Sequence, residues 1–220
     1  MNIEERLCRL KSKLPDNVRL LAVSKLHSES VIMDAYNAGQ RIFGENRVQE
    51  LLPKYENLPK DIEWHFIGHL QANKVKYIAP FIHTIQSIDS LKLAETVNKE
   101  AEKYNRIIRV LLQIHIAKEE HKFGFSYEEA EDIFKSNALC SFPNLEVSGL
   151  MGMATFTDNN EQIRNEFNKL NNFFKHIKLV YFAENDSFIE LSIGMSDDYL
   201  IAVEEGSTII RLGSKIFGSR

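Results

Sequence analysis

The sequence predicts a single-domain (β/α)8 barrel, an α/β fold spanning residues 1–220. Three observations predict it. Short apolar runs rich in β-branched residues alternate with amphipathic helical patterns from one end of the chain to the other. Eight such pairs behind one leading helix, in 220 residues, leave about 27 residues per unit, which suits a compact barrel. Small and polar residues gather just after the apolar runs, where a barrel presents its chemistry. A doubly wound open sheet also satisfies the first observation and is the alternative.

Taken in order, residues 2–13 place Ile3, Leu7 and Leu10 at helical spacing. The strand candidates are 18–24, 41–43, 62–67, 82–87, 107–114, 145–151, 188–193 and 208–213. Most are short and nearly continuous in apolar residues, as strands buried on both faces must be. Helices are expected between them. The first of these, 29–38, ends at Gly39, and 46–56 carries Pro53, which should kink or shorten it. Pro80 should stop 71–79, Asp89 can cap 90–104, and Ser126 with Glu129 forms a capping box for 127–137. In 160–177, Ile163, Phe167, Leu170, Phe174 and Ile177 form one apolar stripe. The last full helix, 197–205, ends at Gly206. No linker, low-complexity tract or internal repeat interrupts the series.

Composition narrows the function. Apolar residues make up 44% and charged residues 26%, an ordinary globular balance. A net charge of -4 provides no basic footprint for nucleic acid or an anionic membrane surface. Cys8 and Cys140 have no metal-type spacing and are too few for a disulfide framework, so reduced thiols are expected. No run approaches a membrane span, and the start Met1-Asn2-Ile3-Glu4-Glu5-Arg6 lacks the apolar segment of a secretory signal. A cytoplasmic protein is expected.

The run Leu20-Leu21-Ala22-Val23-Ser24-Lys25 puts a lysine at the carboxyl end of the first strand. Burial there would lower an amine's proton affinity, which a Schiff-base lysine needs; a lysine snorkelling into water is the plain alternative. Gly194 and Ser196 precede one helix, while Gly213 and Ser214 precede the final short segment. Both stretches follow strands seven and eight, where barrels frequently bind phosphate, although two ordinary turns would read the same. Arg211 shares strand parity with Gly213, so both can face the barrel mouth. Asn46 suits either a ligand pocket or a turn. His65 and His69 straddle a strand end and lack a suitably spaced thiol or carboxylate, so no metal site is expected. Asp197-Asp198 reads as a helix-dipole pair, and the charged loop from Lys118 to Phe125 as a mobile segment or a plain surface loop.

Leu21-Ala22-Val23-Ser24-Lys25, Phe43-Gly44-Glu45-Asn46-Arg47-Val48-Gln49-Glu50 and Trp64-His65-Phe66-Ile67-Gly68-His69-Leu70-Gln71-Ala72-Asn73-Lys74 resemble the pyridoxal phosphate homeostasis protein family. Gly149-Leu150-Met151, Leu191-Ser192-Ile193-Gly194-Met195-Ser196-Asp197-Asp198 and Ile210-Arg211-Leu212-Gly213-Ser214-Lys215-Ile216-Phe217-Gly218 continue the resemblance in order along nearly the whole chain. It implies a barrel of the alanine racemase amino-terminal type (fold type III) that binds pyridoxal 5′-phosphate through a lysine Schiff base. By position, Lys25 would be that lysine. Ser192, Ser196, Gly213 and Ser214 would hold the phosphate, Arg211 would lie close to the phosphate or the pyridine ring, and Asn46 would approach the ring side. Ser214 stands where many relatives have threonine, which keeps the hydroxyl.

The resemblance also implies a monomer concerned with vitamin B6 homeostasis, with pyridoxal phosphate-dependent apo-enzymes as candidate recipients and no established reaction. Racemases of this fold add a β domain and a second acid–base residue, and only Lys215 to Arg220 follow the eighth strand here. A binding and delivery protein is therefore expected. A pyridoxal phosphate-dependent racemase or decarboxylase, or a cofactor-free barrel acting on a sugar phosphate, are the alternatives.

Overall fold

Strands buried on both faces need continuous apolar runs, and this chain has eight of them. The computed structural model describes residues 1–118 and 123–218. Its strands are β1 (Arg19–Val23), β2 (Ile42–Glu45), β3 (Glu63–Phe66), β4 (Thr84–Ile88), β5 (Ile108–Ile114), β6 (Leu145–Gly152), β7 (Glu190–Ser192) and β8 (Ile209–Leu212). All pair in parallel in chain order, and β1 closes on β8 with Leu21 opposite Arg211. This is the closed barrel rather than the open sheet.

The helices are α1 (Ile3–Lys11), α2 (Glu29–Asn37), α3 (Val48–Asn57), α4 (Val75–Ile78), α5 (Leu91–Glu102), α6 (Tyr127–Lys135), α7 (Asn160–Tyr181), α8 (Tyr199–Glu204) and α9 (Ser214–Phe217). Their ends follow local chemistry. Ser126 and Glu129 form the expected capping box on α6, and Gly39 and Gly206 adopt the left-handed conformation just past α2 and α8. Two expectations need correcting. Ser90, not Asp89, caps α5: its hydroxyl accepts from the Leu93 amide, while the Asp89 carboxylate pairs with His69 Nδ1 at 3.0 Å. The segment 71–79 splits into a 3₁₀ turn, Ala72–Lys74, and the single turn of α4. Helix α3 starts at Val48 because Arg47 is still extended, and it continues through Pro53 to Asn57. No described helix is long and apolar enough to cross a membrane.

The apolar core lies between barrel and helices. Phe43 and Trp64 face outward side by side, with ring centroids 5.8 Å apart, and the α7 stripe of Ile163, Phe167, Leu170 and Ile177 is buried against the wall. Inside the barrel the character changes. Gly44 faces the lumen, where a Cβ would sit 2.4 Å from the Leu21 side chain. Ser192 Oγ donates to Gln86 Oε1 at 2.7 Å. Strands β4 and β7 are not neighbours, so that bond crosses the lumen. Arg19 with Glu190 and Arg109 with Glu146 pair at the amino-terminal ends of their strands.

Candidate functional site

Lys25 is half-buried in the turn after β1, and four contacts hold that turn. The Ser24 hydroxyl donates to Glu45 Oε1 at 2.7 Å, Lys54 Nζ donates to the same oxygen at 2.7 Å and to the Ser24 carbonyl at 2.9 Å, and the Leu26 amide donates to Glu50 Oε2 at 2.8 Å. Leu26 needs this support, because its φ of 63° is a left-handed conformation that a branched side chain rarely adopts. Glu45 is fully buried and Lys54 nearly so. Burial pushes the Glu45 carboxyl above the usual range, and the hydrogen bonds from Lys54 and Ser24 oppose the rise. The lysine is thus carried on a turn clamped from β2 and α3.

The facing wall comes from the loops after β7 and β8. Gly194 turns the chain at φ +92°, where a Cβ would lie 2.5 Å from that of Ala202, so only glycine lets the loop sit this close on α8. Asp198 staples the loop, accepting from the Met195 amide at 2.5 Å. Burial raises the Asp198 carboxyl, while the Met195 amide and the nearby Arg211 charge draw it back. Among the described residues, the amides of Ser196, Asp197, Ser214 and Lys215 donate to no backbone carbonyl, which leaves them available to a ligand.

Arg211 stands in the lumen wall between Lys25 and these loops. It is 4% exposed, and its guanidinium donates to the Ser192 carbonyl (2.7 Å), Ser192 Oγ (2.8 Å) and the Gly152 carbonyl (2.9 Å). All three acceptors are neutral, and burial lowers its pKa to about 10, with Asp198 opposing the fall. A buried cation held only by neutral groups favours an anion or an electron pair beside it.

One cavity of about 500 Å³ is lined by Lys25, Asn46, Ser196, Arg211, Gly213 and Ser214 together. Asn46 Oδ1 is buried without a partner. A Cβ on Gly68 would lie 2.4 Å from the Asn46 carbonyl oxygen, so only glycine lets the β3 loop pass this close to Asn46. Ser192 is placed differently: it is not among the lining residues, and its buried hydroxyl bridges Arg211 and Gln86 beneath the cavity floor. His69 is also elsewhere, stacked on Phe123 at 3.8 Å and bonded to Asp89. Of the charged loop from Lys118 to Phe125, residues 119–122 lie outside the described residues. Pattern reading assigned no role to Glu45, Glu50, Lys54 or Gln86. The first three sit in or beside the Phe43–Glu50 motif, but an acid and a lysine nine residues apart carry no mark of burial in the sequence.

A second polar cluster sits in the barrel on the side of the strand amino-terminal ends. Glu63, His65 and His83 bring their ligand atoms within 4.8 Å of one another. Chain spacing could not find this group, because His83 reaches His65 from the next strand rather than along its own. Burial, then the neighbouring His83, Arg19 and Arg109, hold the His65 imidazole well below its usual pKa, so it is neutral across the physiological range.

Comparison with known proteins shows the family and the fold. The family model described as "Alanine racemase, N-terminal domain" matches residues 1–220. The pyridoxal phosphate homeostasis protein of Aquifex aeolicus is 39% identical over 217 residues, covering 98% of this chain and 93% of that one. The human protein of the same name is 39% identical over 232 residues, covering 99% and 82%. The structure of PipY from Synechococcus elongatus PCC7942 with PLP bound superposes with a TM-score of 0.88 at 35% identity, covering 99% of this chain and 100% of PipY. An alanine racemase from Clostridium difficile 630 shares the fold at 14% identity, with a TM-score of 0.77; the match spans 100% of this chain and 56% of the racemase.

Proposed function

Because the chain belongs to the pyridoxal phosphate homeostasis protein family, on the fold of the alanine racemase N-terminal domain, we propose that it binds pyridoxal 5′-phosphate through Lys25 and serves its homeostasis and delivery. The single observation that carries this reading is the meeting of Lys25, the Ser196 and Gly213-Ser214 loops and Arg211 around one cavity.

The residues fit the group. A cavity of about 500 Å³ is ample for one small aromatic ligand. The free amides and hydroxyls of the two loops suit a phosphate. Arg211 suits an electron pair on the ring nitrogen, and the orphaned Asn46 Oδ1 suits a donor on the ring edge. When bound, the cofactor would supply an aldehyde electrophile, and Lys25 would be the amine that holds it. Everything else belongs to the protein. The Glu45–Lys54–Glu50 clamp orients the Lys25 turn, the two loops bind the anion, and Ser192 with the Gly152 carbonyl orients Arg211.

An arginine beside the ring nitrogen would disfavour its protonation, and a weaker electron sink would suit a carrier better than a racemase. The reading gives a monomer that hands the cofactor to pyridoxal phosphate-dependent apo-enzymes. Two exposed free thiols, Cys8 and Cys140, support a reducing cytoplasm. The test is to incubate loaded protein with amino acids in heavy water and follow the Cα–H signal. A carrier leaves that signal intact for hours; exchange at enzyme-like turnover would reject it.

A further inference from the structure

A hydrogen-bonded chain runs down the lumen from the cavity floor. Arginine has only donors, so Arg211, at 2.8 Å, makes Ser192 Oγ an acceptor. The Ser192 hydroxyl proton then goes to Gln86 Oε1 at 2.7 Å. With its oxygen turned to Ser192, the carboxamide donates through its NH₂ to His65 Nδ1 at 2.9 Å. A neutral imidazole with an accepting Nδ1 carries its proton on Nε2. Four residues from four strands, Arg211, Ser192, Gln86 and His65, are thereby joined in one donor-to-acceptor chain.

We propose that Gln86 is a positioning residue of the pyridoxal 5′-phosphate site, acting from the lumen through Ser192 to aim Arg211, and that the same chain holds His65 in its Nε2–H form. This rests on the site reading above. The physical need is clear in Arg211: among the described residues it forms no ion pair, and its side chain is held by three bonds to neutral acceptors. Ser192 Oγ is the acceptor among them that rotates. Gln86 takes its proton and so keeps a lone pair turned to the guanidinium. At the other end, His65 Nε2 is buried without a partner. With Nδ1 occupied and Nε2 protonated, His65 has no lone pair for a cation, so the Glu63–His65–His83 cluster opposes a metal while this chain is intact.

Two readouts test it. The first is the ¹⁵N spectrum of the imidazoles in cofactor-free protein above neutral pH, which needs no bound ligand. Wild-type His65 should show the Nε2–H pattern, and an Nδ1–H pattern would overturn the chain's polarity. The second is pyridoxal 5′-phosphate affinity by absorbance titration. Gln86→Leu should weaken binding about tenfold, as should Ser192→Ala, which removes the same link with less change in volume. Gln86→Glu keeps an acceptor for Ser192 and offers a new one to His65. Its affinity should stay within about threefold of wild type while the His65 proton moves to Nδ1. If Gln86→Leu and Ser192→Ala both fold and bind within about twofold of wild type, the positioning role is overturned and the site reading stands. A wild-type protein that takes up no pyridoxal 5′-phosphate would overturn the site reading and the positioning role with it.

Discussion

Lys54 carries much of the site's order without lining the cavity. It is 6% exposed, beside a Glu45 that is 0% exposed, and it holds both the Ser24 carbonyl and the Glu45 carboxylate. Removing one member of a buried pair strands the other charge, which costs more than the pair itself contributes. Lys54→Met should therefore destabilise the protein by about 3 kcal/mol in urea unfolding. Adding Glu45→Met should recover more than half of that loss; a double variant as unstable as the single one would refute the explanation. This pair was present in the sequence as two charged letters nine apart. Nothing in one-dimensional pattern distinguishes a buried lysine from a solvated one, because the burial comes from α3 folding back over β2.

At the level of elements, the β7–α8 connection shows how a turn residue shapes a binding wall. Gly194 and Gly39 share a left-handed backbone, with φ of +92° and +84°, but a Cβ at Gly39 would meet nothing within 4 Å. Gly39→Ala should then cost about 1 kcal/mol, for the backbone alone, and leave pyridoxal 5′-phosphate affinity unchanged. Gly194→Ala adds a collision with Ala202, so it should cost roughly 2–3 kcal/mol and weaken binding by displacing Ser196. Equal effects on binding would contradict the assignment of this loop to the site. The elements themselves were readable in advance, since all eight strand candidates overlap observed strands and apolar period separates strand from helix well. Side-chain destinations were less so. Ser192 and Ser196 sit in one motif, yet strand alternation and a short β7 send the first hydroxyl under the floor and leave the second on the lining. Ser90 rather than Asp89 caps α5, and the Asp89 carboxylate pairs instead with His69 from a different loop.

The whole molecule is a barrel with a chain of buried polar groups in its lumen, and that makes its stability depend on pH. His65 is neutral when folded, with its pKa held well below the ordinary value by burial. In the unfolded chain it titrates near 6.5. As pH falls through about 6.5 the unfolded state binds a proton that the folded state refuses, so stability falls, by at most about 1.4 kcal/mol per pH unit for this one group. His83, also lowered by burial, adds a smaller amount of the same sign. Glu45 and Asp198, raised by burial, act in the opposite sense, so the readout is a difference: the wild-type unfolding midpoint should fall more than that of His65→Gln between about pH 6.5 and 5, and equal falls would contradict the buried neutral imidazole. The same lumen chain ends at Arg211, so the fold's interior and its mouth are one connected system, with Lys25 at the point where a ligand must attach. The most direct test of the account is the mass of the purified, pyridoxal 5′-phosphate-loaded protein after borohydride reduction, with the modified peptide sequenced. The account predicts one cofactor added per chain, fixed to Lys25 and lost in Lys25→Ala. Reduction that fixes the cofactor to another lysine, or an unchanged mass gain in that variant, would contradict it.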